Sequence, residues 1–563
     1  MHNQEKFTAY NYIQMLRYSF MFFSMFLAST VVVGQEWDEN GAEIEDARVV
    51  IEKDRKIELP TASRSYEKVP PLPGAVREKT LDYDFKDYSH ALKPLDPRIR
   101  VLTVQDEKLR KFYGNYLKVG LGNYTTPYLE GFFNNKRNDR YAVGAHVKHL
   151  SSKNGPVDKE NSGTSENKVG LYGKLFTKAL TFGGDLKYER RKNNFYGYAP
   201  GLETSEDGIK QVYNFFHANL GFVSNTDNED LYYQFNVSFD HLADHYETSE
   251  SQVGFDLETR FTLSELLELG LNSDLYLSKI NSTGSISRNF FRLNPTFKTT
   301  IDPLEIEAGL NLVYEDDTLF NANKVHFYPV AKATYHISED VKVYAGLGGD
   351  VERVSLQHLS RENPFIATGV PVFNTNKTLE FYGALEGKIF STLAFKGGFS
   401  VGNYKNMYYY VNSQADSAQF DILYDNGNTS LFNLFAELGV SKSEVFNLVF
   451  RTDYYGYDPD DLEEAWHKPK FGLSLLGTYN LYNKLLFGLE LASLGGIKGY
   501  NQQSDRQESL DPMIDLNFKT EYLFSDRASL FLNFNNILGN NNERYLNYPS
   551  RKFMFMAGLT YSF

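Results

Sequence analysis

The stretch Phe553-Met554-Phe555-Met556-Ala557-Gly558-Leu559-Thr560-Tyr561-Ser562-Phe563 carries the fold in miniature. Alternate residues back from the end are Phe563, Tyr561, Leu559, Ala557, Phe555 and Phe553, which are apolar and mostly aromatic. The intervening set, Ser562, Thr560, Gly558, Met556 and Met554, is smaller and more polar. Successive side chains of a β-strand point to opposite faces, so this is a strand with one greasy face. Alone, it leaves two readings open: the last strand of a water-soluble β-domain, or one stave of a structure whose greasy face is turned outward.

The same alternation recurs upstream. In 514–524, Ile514, Leu516, Phe518, Tyr522 and Phe524 alternate with Asp515, Asn517, Lys519, Glu521 and Leu523. In 291–298, Phe291, Leu293, Pro295 and Phe297 alternate with Arg292, Asn294, Thr296 and Lys298. The pattern predicts strands near 115–124, 127–134, 140–151, 166–178, 179–191, 211–224, 230–241, 248–262, 268–281, 287–300, 304–315 and 324–336. It continues near 340–352, 378–389, 391–403, 429–442, 444–456, 467–480, 483–495, 512–524, 527–536 and 552–563. That makes about 22 strands, an even number, as single-chain bacterial outer-membrane barrels have.

The connections decide between the readings. Short turns such as Lys178-Ala179-Leu180, Ile301-Asp302-Pro303, Lys442-Ser443-Glu444 and Phe524-Ser525-Asp526 alternate with long segments at 152–165, 192–210, 353–377, 404–428, 457–466, 496–511 and 537–551. Short turns on one rim and long loops on the other is the layout of a transmembrane β-barrel; a soluble β-array has no reason to alternate this way. Both ends of the barrel then lie on the short-turn, periplasmic side. Pro295 and Pro329 conflict with this, because a closed barrel has no edge on which to hide a proline; bulges or strand ends are expected there.

Composition narrows the class further. The chain has 563 residues, too many for one ordinary compact domain, and no cysteine, which excludes disulfides and thiolate metal sites. A net charge of −14 argues against nucleic acid as a partner. A mean hydropathy of −0.44 looks water-soluble, yet a barrel with a polar lumen averages to the same value. At the N-terminus, Lys6 and Arg17 precede an uncharged run over 18–35 with the core Met21-Phe22-Phe23-Ser24-Met25-Phe26-Leu27-Ala28. The small residue Gly34 suits cleavage between Gly34 and Gln35, so 1–34 reads as a secretory signal peptide. The alternative is an N-terminal anchor, for which the apolar core is short.

Gly558, Tyr561 and Phe563 make the final strand resemble the closing strand of bacterial outer-membrane barrels, where that strand is the signal read by the barrel-assembly machinery. Met556 departs from the pattern, which prefers a polar residue there. The last third also resembles the barrel domain of TonB-dependent outer-membrane receptors. The carrying residues are Glu464-Ala465-Trp466-His467-Lys468-Pro469-Lys470-Phe471, then Asn536-Ile537-Leu538-Gly539-Asn540, Tyr545, Tyr548-Pro549 and Arg551; His326-Phe327-Tyr328-Pro329 also fits. The resemblance implies outer-membrane solute transport and outer-membrane lipids as surroundings. It covers 115–563 only. That family carries a folded plug ahead of its barrel, whereas 35–114 is too short for one. With Val69-Pro70-Pro71-Leu72-Pro73-Gly74 and Lys93-Pro94-Leu95-Asp96-Pro97, this span reads as an extended periplasmic segment. A barrel this wide leaks unless filled. Either 35–114 enters the lumen or a periplasmic or lipoprotein partner caps it.

Chemistry is sparse. His146 and His149 are three apart on a strand and face opposite ways, so they cannot share a metal. The loop Asp458-Pro459-Asp460-Asp461-Leu462-Glu463-Glu464 has oxygen ligands but no calcium-loop spacing, and reads as solvated. No phosphate loop or nucleophile elbow is present, so no enzyme, cofactor or catalytic residue is expected. Arg292, Lys298, Asp515, Lys519 and Glu521 are expected to face the lumen, as a solute path or merely as its solvating lining. The fold expected is therefore all-β, a transmembrane antiparallel barrel over 115–563 preceded by the 35–114 segment. The function expected is solute transport across the bacterial outer membrane, gated by that segment or a partner. The alternative is a non-transporting scaffold in an assembly or secretion complex. N-terminal sequencing of the mature protein should begin at Gln35; a chain that still begins at Met1 would favour the anchor.

Overall fold

The computed structural model describes residues 113–563, except 200, 203, 226–229, 317–323 and 391. The expectations placed on 1–34 and 35–114, including Gly34 and Gln35, lie outside the described residues. Twenty-two strands form a single antiparallel sheet closed on itself. Each barrel strand pairs with the barrel strands before and after it in sequence, as the alternation predicts. The opening strand, Tyr116–Gly122, pairs with Thr126–Asn134 on one side and with Met554–Ser562 on the other. Every expected strand is present, with ends displaced by a few residues.

Closure is built residue by residue. Tyr116 lies opposite Ser562 and Gly122 opposite Met556. Asn115 and Phe563 then exchange two backbone hydrogen bonds, 3.2 and 3.0 Å. At the other end Asn123 continues the seam: its amide donates to the Phe555 carbonyl at 3.0 Å, and its side chain bonds the Phe553 carbonyl and the Phe555 amide. A closed sheet leaves no row of unpaired N–H and C=O groups, the requirement that hydrocarbon imposes on any β-structure within it.

The two faces separate cleanly. Leu121, Leu220, Phe297, Phe327, Leu434, Leu559 and Tyr561 are exposed on the outer face, Leu121 and Leu220 at 72 %. No second sheet covers them. A water-soluble sandwich would bury such a band between its sheets, so only lipid can cover it. Inside, glycine and aromatic side chains interlock at the seam. Gly120 sits opposite Gly558 and Gly558 opposite Phe531. The Phe531 ring, 1 % exposed, fills the space both glycines leave, and a Cβ at Gly120 would come within 2.8 Å of it. Lys118 Nζ covers the ring at 4.2 Å.

Neither proline carries a register shift, and only Pro295 is accommodated differently from expectation. Pro295 and Pro329 both flank Leu310, on the outer face. The ladder to the strand Leu304–Glu315 is interrupted at Asn294 and Pro295, and Asn294 Nδ2 donates to the Leu310 carbonyl at 3.1 Å in place of the missing proline N–H. Pro329 lies just beyond the ladder with Val341–Glu352, which begins at Ala331 opposite Leu347. The sheet thus drops a bond and repairs it from a side chain, which keeps the alternation of faces intact.

Long and short connections segregate as expected. Loops 353–374, 406–427, 496–512 and 536–553 lie at one rim; 302–303, 339–340 and 443–445 lie at the other. Replacing Gly558 by Leu should drive a side chain into the Val119 carbonyl and the Phe531 ring. The expected outcome is loss of the heat-modifiable, compact band of the folded barrel on semi-native gels, with Gly183→Leu, whose Cβ meets only the Gly173 carbonyl at 4.0 Å, as the tolerant control.

Candidate functional site

Among the described residues, the largest buried cluster lies at the long-loop mouth, packed against the ends of the barrel wall. Residues of four connections meet there. Loop 353–374 contains the helix Leu356–Glu362. Ser355 caps it by accepting from the His358 amide at 3.0 Å, and Pro364 blocks its continuation. Seven residues make a helix too short to stand alone, so packing must hold it. Leu356 and Leu359 are buried in the cluster, beside Tyr213, Phe215 and Leu242 of the barrel wall and Tyr410, Phe420, Tyr545 and Tyr548 of other loops. Loop 406–427 forms a hairpin, Tyr408–Asn412 with Phe420–Tyr424, and loop 496–512 a second, Lys498–Asn501 with Arg506–Ser509. Asn412 joins the two in a four-stranded sheet.

Tyr548 stands where these loops meet. Its ring stacks on Phe365 at 3.8 Å and lies against Tyr196 at 4.7 Å, and its hydroxyl donates to the Ala418 carbonyl. A side chain at Gly197 would collide with that ring. Nearby, Tyr545 donates to the Glu362 carbonyl at 2.9 Å. Glu362 accepts from the hydroxyls of Tyr408 at 2.6 Å and Tyr410 at 3.1 Å, and faces Lys468 at 3.6 Å. Burial alone would raise the Glu362 carboxyl, but Lys468 and the two hydroxyls outweigh it and hold the group below its ordinary value.

His467 ties three loops together. It is fully buried; its Nδ1 donates to the Tyr410 carbonyl at 2.7 Å and its Nε2 accepts from the Leu546 amide at 3.2 Å. Its own amide donates to the Lys498 carbonyl at 2.8 Å. Only the neutral imidazole satisfies both ring bonds. Burial pushes the group down from 6.5 to about 4, with Arg544 acting in the same direction.

Beneath this cap the wall is ionic and internally compensated. Arg292 bonds Asp274 at 2.7 Å and Asp350 at 2.6 Å; Lys298 faces Glu305 at 3.1 Å; Lys519 faces Glu490 at 3.6 Å. Asp515 accepts from Asn517, and Glu521 from Ser529. The five charges read as lumenal from the sequence are all on the inner face, most of them neutralised by neighbours. His146 and His149 do face opposite ways, bonded to Glu130 at 3.2 Å and Asn167 at 2.7 Å. In the acidic loop, Glu464 is held by Lys470 and Lys498, and Asp460 accepts from the Asn428 amide.

A closed barrel of this strand number, with its mouth filled by its own loops, can be compared with solved structures. The FrpB iron transporter from Neisseria meningitidis (F3-3 variant) matches with a TM-score of 0.63 at 11 % identity, covering 81 % of this chain and 82 % of that one. The fold is that of the TonB-dependent receptor barrels. The ferric-catecholate import receptor Fiu from E. coli K12, in a closed form, matches at 0.61 and 10 %, over 81 % and 82 % of the two chains. The siderophore receptor PiuA from Acinetobacter baumannii matches at 0.60 and 10 %, with the same coverage. No family model matches the sequence, and no curated protein does. The resemblance first read from short motifs thus holds at the level of the barrel.

Those motifs are also the cap. Trp466, His467, Asn536, Tyr545 and Tyr548 are all buried. Asn536 Nδ2 bonds the Asn540 and Arg551 carbonyls, and Arg551 reaches Thr164 at 3.0 Å. The sequence reading missed that they converge; their aromatic density in loops otherwise rich in polar residues was the available signal. Tyr561 and Phe563 stack on each other on the lipid face of the seam, and Gly558 faces inward between Val119 and Phe531.

The His467 geometry gives the cap a pH dependence. Its folded value lies below its unfolded one, so the stabilisation is complete above about 6.5 and is lost as pH falls towards 4, on the order of 3 kcal/mol in all. Hydrogen exchange at the Leu546 amide should therefore speed up between pH 7 and pH 5, beyond the intrinsic pH effect, while amides of Tyr116–Gly122 remain protected.

Proposed function

We propose that this chain is an integral protein of the bacterial outer membrane that carries a solute across it, with the long loops extracellular and both barrel ends periplasmic. The supporting observation is the placement of the buried core. A 22-stranded barrel encloses more space than its inward side chains fill. Here the closure of that space, among the described residues, is made by loops packed side chain to side chain, and loops can rearrange where a hydrogen-bonded wall cannot. The polar, charge-compensated wall beneath suits a hydrated passage. The solved proteins with this fold are by description an iron transporter, an import receptor and a siderophore receptor, which agrees with passage of a solute in preference to catalysis.

In this reading the cap is the outer gate. The inner opening is closed by the segment 35–114 or by a periplasmic or lipoprotein partner, and the strand bearing Gly558, Tyr561 and Phe563 is what the barrel-assembly machinery reads. Planar-bilayer recordings test the gate. The wild-type barrel should be mostly closed, and Tyr548→Ala, which removes the ring joining Phe365, Tyr196 and Ala418 at a cost of about 3–5 kcal/mol to the cap, should raise the open probability several-fold. If wild type and Tyr548→Ala are equally silent, and the chain co-purifies from gently solubilised membranes with a stoichiometric partner, the scaffold reading replaces transport.

A further inference from the structure

Under the cap, between the polar side of the helix Leu356–Glu362 and the barrel wall, lies a pocket of about 210 Å³. Every residue lining it is polar or charged, with Arg353, Arg361 and His358 on the loop side and Asp240, Glu250 and Gln252 on the wall. Each of the two guanidinium groups sits over an aromatic ring. Arg353 lies 4.1 Å over the Tyr276 ring and Arg361 4.0 Å over the Phe215 ring. The ring faces attract these cations and hold them at the pocket edge.

Their charges are incompletely answered. Arg353 bonds only the neutral Gln252 carbonyl, and no carboxylate lies within ion-pair distance of it among the described residues. Arg361 pairs with Glu189 at 2.8 Å, but that carboxylate is also taken by Arg191 at 2.9 Å and Lys168 at 3.5 Å. The acids of the pocket are engaged elsewhere: Asp240 with His217 at 2.7 Å, and Glu250 with the Gln357 amide at 3.0 Å. The second Glu250 oxygen is buried and faces Arg288 Nη1 at 3.9 Å. The pocket therefore offers guanidinium donors to an anion and the second Asp240 oxygen as an acceptor for a hydroxyl group, within a volume that admits one sugar-sized unit.

We propose that this pocket binds a single-ring sugar bearing one carboxylate or phosphate. Arg353 holds the anion with Arg361 as a second donor, and Asp240 accepts from a ring hydroxyl. This deepens the transport reading by naming a class of solute, yet binding can be measured without passage. Calorimetry on the purified full chain with glucuronate, glucose 6-phosphate and glucose is the test. One of the two anionic sugars should bind, glucose should bind at least tenfold more weakly, and Arg353→Gln should weaken the anion at least tenfold. Arg353→Lys should recover part of the loss, and both variants should keep the heat-modifiable band of the folded barrel. The anion that binds identifies the carboxylate or phosphate source. If neither anion binds, if glucose binds as well, or if Arg353→Gln binds unchanged, the proposal is overturned. Conductance through Tyr548→Ala would then still support transport, whereas binding in a chain that never conducts would leave the pocket standing and remove the transport reading.

Discussion

Everything in this molecule depends on the pairing of the strand Tyr116–Gly122 with Met554–Ser562. In hydrocarbon an unpaired backbone N–H or C=O costs several kcal/mol, so a sheet that stops short of its own beginning is not a smaller barrel but an unstable one. The seam carries a heavy demand on few residues. It is met at both ends by Asn115 and Asn123, whose backbones extend the ladder past the strand ends. In the middle Gly120 and Gly558 allow close approach, and Phe531 refills the space they leave. Aromatic filling over facing glycines restores the packing that two missing side chains would forfeit.

Closing the sheet inverts the usual economy of a β-protein. A soluble sandwich places its apolar residues between sheets; here most of them point at lipid, and the wall itself holds only a small inner cluster, Phe290, Val313, Tyr328 and Val351. Packed apolar side chains appear instead in the loops, around Leu359, Tyr410, Phe420 and Tyr548. The wall is held by backbone hydrogen bonds and the solvent of the membrane, the cap by aromatic stacking and single side-chain to backbone bonds. These have different sensitivities. His467 makes the cap responsive to protons, whereas the seam contains no titrating bond between its backbones.

The wall was legible because its rule is local. Period two in Ile514–Phe524 or Phe553–Phe563 is visible in a dozen residues, and the alternation of short and long connections supplies the topology. The cap was not, because its strands obey no single face. Tyr408–Asn412 is buried on both sides, so its sequence shows no alternation to read. The helix Leu356–Glu362 was missed although Ser355 and Pro364 bracket it, since one short helix in a long loop carries almost no periodic signal. The prolines misled in the opposite sense. A rule about backbone donors predicted bulges or strand ends; Pro329 does lie past the end of a ladder, but at Pro295 the neighbouring Asn294 supplied the donor from its side chain.

The resemblance motifs join these two levels. Glu464–Phe471 and Asn536–Arg551 look from sequence like strand-flanking signatures, but their buried side chains lie in the cap. Trp466 stacks on Tyr500 at 5.2 Å, His467 joins three loops, and Arg551 crosses to the loop 153–163. Such residues specify how loops from opposite sides of a wide barrel meet. A wall needs only alternation and tolerates many sequences, which agrees with structural neighbours at 10–12 % identity. A cap of several loops needs particular rings at particular places. The constraint that a sequence can reveal is therefore greatest where the backbone is least regular, and the mouth, not the wall, is where this chain is most specific.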